Sequence, residues 1–184
     1  MLTIFVILFG LFQMCICLIF ILIIICLIKD NVTHDVPFIP VRKRALQSVI
    51  DSLELYPGSI LYDLGSGDGR VLIEAIRRNP EIVALGVENG IIPFLISIIR
   101  THKYPISIKF RKILKQNISN ATHIFCYLSD KSLLELQMKI EAECKKGTRI
   151  VSCDFQFHGW VPKTTISISN SNDKLSRMLY VYEK

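Results

Sequence analysis

The chain has 184 residues, 51% of them hydrophobic, and a formal net charge of +6. That length leaves room for one domain and an appendage. The charge carries no aromatic interleaving or recognition motif of a nucleic-acid site, and the six cysteines include no CxxC pair and no spacing suited to zinc or to a disulfide framework.

Residues 2–28 contain no charged side chain. As a helix they would run roughly 40 Å, longer than a hydrocarbon core of about 30 Å. A cleavable signal peptide would want a basic start, a shorter apolar run and a small-residue cleavage site, none of which is present. The expected organisation is therefore a transmembrane anchor over 1–28, a linker over 29–41 containing Pro37 and Pro40, and a domain over 42–184. Lys29, Arg42, Lys43 and Arg44 follow the apolar run, which places the domain on the cytoplasmic side of a single-pass protein. The cysteines of the domain then read as buried reduced thiols, and N-x-S/T triplets at Asn31, Asn117 and Asn120 as chance.

Beyond the linker, Leu46, Val49, Ile50 and Leu53 recur at helical spacing. Ser59–Leu64 reads as a buried strand, Val71–Arg78 as a helix, Ile82–Glu88 as a strand and Ile91–His102 as a helix. Ile106–Phe110 and Thr122–Leu128 read as further strands. Leu133, Leu136, Ile140 and Cys144 mark a helix face that Gly147 is expected to end, with Asp130 as its N-cap. Thr148–Phe155 is a fifth strand, and Thr164–Ser169 with Leu179–Glu183 forms a closing antiparallel pair. Alternating strands and helices predict an α/β fold with a mainly parallel sheet. Arg100, Lys103, Lys109, Arg111, Lys112 and Lys115 make a loose basic stretch, read as solvated surface in preference to a face against anionic lipid.

Between the first strand and its helix stands Asp63-Leu64-Gly65-Ser66-Gly67-Asp68-Gly69-Arg70. Glycines there let backbone N–H groups approach a ligand, and ligands of open α/β sheets bind at the carboxyl ends of strands. A dinucleotide turn would place a third glycine three residues after Gly67, where this chain has Arg70. An acid ending the first strand can meet the cationic methionine end of S-adenosylmethionine. Glu88, ending the second strand, can accept both ribose hydroxyls.

These residues resemble class I S-adenosylmethionine-dependent methyltransferases, which have a Rossmann-like sheet. More narrowly, the chain is similar to the membrane-anchored lysine methyltransferases that modify the ATP synthase c-subunit and the adenine nucleotide translocase. The resemblance covers residues 36–162 and the preceding apolar anchor, and is carried by VPFIP at Val36–Pro40, Tyr62–Arg70, Gly86–Glu88, Phe110–Lys112, Tyr127-Leu128 and Phe155–Pro162. It implies S-adenosyl-L-methionine as cofactor, held by Asp63, Gly65, Ser66, Gly67, Asp68, Gly69 and Glu88, with no metal. It also implies a lysine substrate on an integral membrane protein at the bilayer. The chain departs from the family at Val41, where Ser or Thr is frequent, and at Ile113, where an acid usually meets the adenine amino group.

Methyl transfer to a lysine needs a neutral amine, correct orientation and aromatic faces for the cations. Tyr127, Trp160 and Phe38 are the expected catalytic aromatics. Phe155 is expected in the core, Phe157 in core or site, His158 on the surface, Asp154 in either a substrate-orienting or a solvated role, and Arg70 in fixing the turn. On the residues alone, a small-molecule or lipid methyltransferase and a non-catalytic cofactor-binding protein stay open.

Overall fold

The computed structural model describes residues 2–33, 39–168 and 177–184. Phe38 and most of the VPFIP segment therefore lie outside the described residues, as does the end of the closing strand expected at Ser169. Contacts divide the chain into two units, Met1–Pro37 and Phe38–Lys184.

The first unit is one helix, α1 (Leu2–Thr33). It runs five residues past the expected anchor, through Lys29–Thr33. Its segment Ile4–Ile25, uncharged and broken by only one strongly polar side chain, Gln13, is long and apolar enough to cross a membrane.

The second unit contains α2 (Lys43–Leu53), β1 (Ile60–Leu64), α3 (Arg70–Arg78), β2 (Val83–Glu88), α4 (Ile91–Thr101), β3 (Ile106–Phe110), β4 (His123–Cys126), α5 (Asp130–Glu143), β5 (Arg149–Cys153), β6 (Thr164–Ser167) and β7 (Met178–Glu183). A single 3-10 turn, Ile113–Lys115, follows β3. The seven strands form one sheet in the order β3-β2-β1-β4-β5-β7-β6. The first five are mutually parallel, and β7 runs antiparallel to both β5 and β6. The expected mainly parallel sheet with a closing antiparallel pair is what the chain builds.

Strand alternation divides the core into two faces. Leu61, Phe125, Val151, Cys153, Leu179 and Val181 point to one face and pack with α2 and α3. Tyr62, Leu64, Ile124, Cys126, Ile150 and Tyr182 point to the other, with Leu133, Leu136 and Ile140 of α5. Burial pushes the Cys126 thiol up to about 12 and the Cys144 thiol up to about 11, so both stay protonated and inert.

Two local expectations are corrected. Ser129, not Asp130, caps α5: its backbone is extended and its hydroxyl accepts from the Ser132 N–H at 3.5 Å, while Asp130 is already helical. The helix also stops at Glu143, and Gly147, at φ +85°, serves the turn into β5, where its N–H donates to the Lys184 carbonyl.

Candidate active site

β1 delivers Asp63 to the carboxyl edge of the sheet, in register with Gly86 of β2 and Phe125 of β4. The turn that follows is tied to β2. The Gly65 and Ser66 N–H groups both donate to the Val87 carbonyl, at 2.8 and 3.0 Å, and the Gly67 N–H donates to Glu88 Oε2 at 2.7 Å. These three amides are engaged within the protein, so the turn contributes shape and close approach rather than ligand-directed N–H groups. Gly69 is needed twice over: its φ is +76°, and a Cβ there would lie 2.8 Å from Thr101 Cγ2 of α4.

Glu88, buried at the end of β2, accepts from Gly67 through Oε2 and from the Asn89 and Gly90 N–H groups through Oε1, at 2.9 and 2.7 Å. A carboxylate offers about four lone-pair sites. Three of them accept these N–H groups, two on Oε1 and one on Oε2.

Asp63 is 2% exposed, and its Oδ2 has no hydrogen-bond partner; neither does the Ser66 hydroxyl. Burial pushes the Asp63 carboxyl well above its ordinary range, and the nearby charges of Glu88 and Asp68 add to the push. A buried acceptor without a partner, flanked by two more carboxylates, is a place for a cation. The methionine end of S-adenosylmethionine carries an ammonium and a sulfonium, so the residues present fit that group.

Asp68 is committed elsewhere. Arg70 holds it with a two-pronged contact, Nε to Oδ1 at 2.9 Å and Nη2 to Oδ2 at 2.7 Å, and Arg100 of α4 also bonds Oδ2. Burial raises the Asp68 carboxyl, but hydrogen bonds and charge from Arg70, with the charge of Arg100, outweigh it and hold the group below its ordinary range. Arg70 Nη1 donates onward to the Val41 carbonyl at 2.8 Å. The expected turn-fixing role of Arg70 thus extends to the entry of the domain. Pro40 and Val41 line one side of a pocket whose other side is Asp63, Ser66, Asp68 and Phe125. Arg100 and the Val41 carbonyl were not legible as site components, because neither falls in a motif; only the fold brings them to Asp68 and Arg70.

Tyr127 lies one strand period beyond Phe125 and packs with the same face as Asp63. Its hydroxyl donates to Asp154 Oδ2 at 2.6 Å. Asp154 adopts φ +62°, and its Oδ1 accepts from the N–H groups of Arg177 and Met178, at 2.6 and 3.1 Å. It is a bracket between β5 and β7 that also orients Tyr127, instead of a solvated carboxylate.

Trp160 is not brought to this pocket, which corrects its expected place. Its indole N–H donates to Glu141 Oε1 of α5 at 3.1 Å, and its ring packs on Phe157 at 5.0 Å and Tyr182 at 5.8 Å, all on the α5 face. The connection from β5 to β6 is a loop rather than a helix, and its Phe157–Trp160 stretch covers that face. Phe157, 2% exposed, is core, whereas Phe155 is only half-buried, 6.5 Å from the Tyr127 ring. His158 is exposed. Ile113 packs against the α5-side core.

The sheet order, the acidic-glycine turn and the partnerless Asp63 oxygen together define an S-adenosylmethionine-dependent methyltransferase. Residues 63–164 match the ANTKMT methyltransferase domain, and the chain belongs to that family. It is 31% identical over 150 residues to a protein-lysine N-methyltransferase of Saccharolobus islandicus, covering 79% of this chain and 93% of the relative. It is 28% identical to the human lysine N-methyltransferase of the ATP synthase c-subunit, over 68% of this chain and 54% of the human one. It is 27% identical to the mouse adenine nucleotide translocase lysine N-methyltransferase, over 72% and 58%. The chain thus spans little more than half the length of these mammalian relatives. Among solved structures, an RNA methyltransferase from Salinibacter ruber in complex with S-adenosyl-L-homocysteine shares the fold at TM-score 0.71 and 23% identity, covering 79% and 93% of the two chains.

Proposed function

We propose that this chain is a protein-lysine N-methyltransferase whose substrate is a membrane protein, with α1 as the anchor that keeps the domain, on the cytoplasmic side, beside that substrate. The observation that carries the catalytic part is Asp63, a buried carboxylate with a partnerless oxygen, in a residue that lines the pocket between the glycine turn and Val41. The lysine substrate is supported by the relative that is 31% identical along most of both chains and is named a protein-lysine N-methyltransferase. The membrane substrate is supported by two relatives that act on the ATP synthase c-subunit and on the adenine nucleotide translocase, and by an apolar α1 that would raise the local concentration of such partners.

In this reading Asp63 holds the cationic amino-acid end of the cofactor, Glu88 holds a ribose hydroxyl, and Gly65, Ser66, Gly67 and Gly69 leave room for it. The bound cofactor supplies an electrophilic methyl group on a sulfonium. Tyr127, oriented by Asp154, lines the approach of the substrate amine. A partly dry site favours the neutral amine that must attack, and the proton it loses on methylation passes to solvent. Asp68 acts through Arg70, holding the turn and the Val41 carbonyl in place, and does not touch the cofactor.

The test is transfer of labelled methyl from S-adenosylmethionine to isolated membranes, with the acceptor residue identified by mass spectrometry. Label on lysine of a membrane protein, lost with Asp63→Ala, is expected. Label only on lipid or on small molecules, or activity that survives Asp63→Ala, overturns the reading.

A further inference from the structure

α4 is amphipathic the wrong way round for a helix of a soluble domain. Its buried residues are Pro93, Ser97 and Thr101, and it turns Leu95, Ile96, Ile98 and Ile99 outward at 55, 40, 44 and 71% exposure. The small inward row is required because it seats on Gly69 of the turn, with Thr101 and Ser97 the nearest side chains to that glycine. That requirement explains the inward residues and leaves the outward ones unexplained. A run of exposed apolar side chains is unfavourable in water unless something covers it.

The patch continues onto the sheet edge. β3 is an edge strand, its Phe110 is 53% exposed and packs on Phe94 of α4 at 5.0 Å, and Leu114 beyond it is 47% exposed. Around these lie Lys103, Lys109, Arg111, Lys112 and Lys115, all exposed, and Arg100, which reaches inward to Asp68. Residues 91–115 contain six Lys or Arg and no Asp or Glu, as large as the formal charge of the whole chain. Apolar side chains ringed by cations suit the boundary between acyl chains and anionic head groups; a solvated basic surface accounts for the cations alone.

We propose that the outward face of α4, with Phe110 and Leu114, docks the domain onto an anionic lipid bilayer. This reverses the reading of the basic stretch as solvated surface, and it does not depend on the identity of the methyl acceptor. Because Arg100 bonds Asp68 and Thr101 covers Gly69, the helix that meets the bilayer is also the one that buttresses the cofactor turn.

The test uses the full chain in vesicles with brominated acyl chains, of phosphatidylcholine alone or with phosphatidylserine. Trp160, on the α5 face, is the only native tryptophan, so Ile99→Trp and Met138→Trp report separately on α4 and on an exposed site of α5. Expected is strong quenching of the Ile99→Trp signal when phosphatidylserine is present, little quenching of Met138→Trp, and loss of the difference on adding Lys109→Glu with Lys112→Glu. Leu95→Trp serves where Ile99→Trp fails to bind S-adenosylmethionine normally. Equal quenching at the two sites, or quenching indifferent to phosphatidylserine and charge reversal, overturns the proposal. So does protection of Ile99→Trp that follows protein concentration rather than lipid, which would mean a second copy covers the face.

Discussion

Tyr127 and Trp160 are both aromatic residues in segments that follow a parallel strand, yet they end on opposite faces of the sheet. Tyr127 continues the parity of Phe125 and so shares a face with Asp63, and its hydroxyl is held by Asp154. Trp160 sits 7 residues beyond the end of β5, where strand parity no longer applies, and it closes the α5 face with Phe157 and Tyr182. One aromatic shares a face with Asp63 and the other is cover for a core, which shows that residue type is a poor guide to placement once a side chain lies off the regular elements.

The comparison can be sharpened by experiment. The largest effect belongs to the pocket face: Asp63→Ala should weaken S-adenosylmethionine binding by about a hundredfold, as expected when a buried charged partner of a cation is lost. Calorimetric titration measures it, and an unchanged affinity would remove Asp63 from the site. On the other face, Trp160→Ala should lower stability by about 2–3 kcal/mol, somewhat under the usual cost for a fully buried ring, while Trp160→Phe leaves kcat unchanged. Denaturant melts paired with steady-state rates would break the contrast if Trp160→Phe instead lowered kcat and left stability alone.

Tyr127→Phe should behave in the opposite way. Removing the hydroxyl that donates to Asp154 is expected to lower kcat by roughly tenfold, the scale of one hydrogen bond to a charged group, with little change in thermal midpoint. The last effect is a pH dependence at a third site. His123 is buried at the start of β4, and burial, reinforced by the Arg149 charge, lowers its pKa from 6.5 to about 4. Between those values the unfolded chain binds a proton that the folded chain does not, so stability falls as pH drops from 6.5 towards 4. His123→Gln should flatten that part of a thermal-midpoint profile; an equal slope in the variant would exclude His123 as its source.

Much of the fold was legible because α/β architecture is written in periodicity. The β1, β2, β4 and β5 runs are short and apolar, as strands buried on both faces must be, and glycines and prolines punctuate them. Asp63 and Glu88 were legible for a similar reason: both end strands beside a glycine turn, so their place at the sheet edge follows from chain order. The cap of α5 was misassigned between Ser129 and Asp130 because both are good caps, and only the backbone angles choose between them.

The sequence by itself determined the strand–helix alternation, the acidic-glycine turn and the apolar α1, because these depend on local spacing. Only the tertiary structure decided that Glu88 and Val87 absorb the turn's amides, that Arg70 and Arg100 converge on Asp68, and that Trp160 faces α5 while Tyr127 packs on the opposite face of the sheet. It also decided that α4 hides its small residues and shows its apolar ones. In each case the deciding neighbour comes from a different element of the chain, and no local pattern records which side chains folding will bring together.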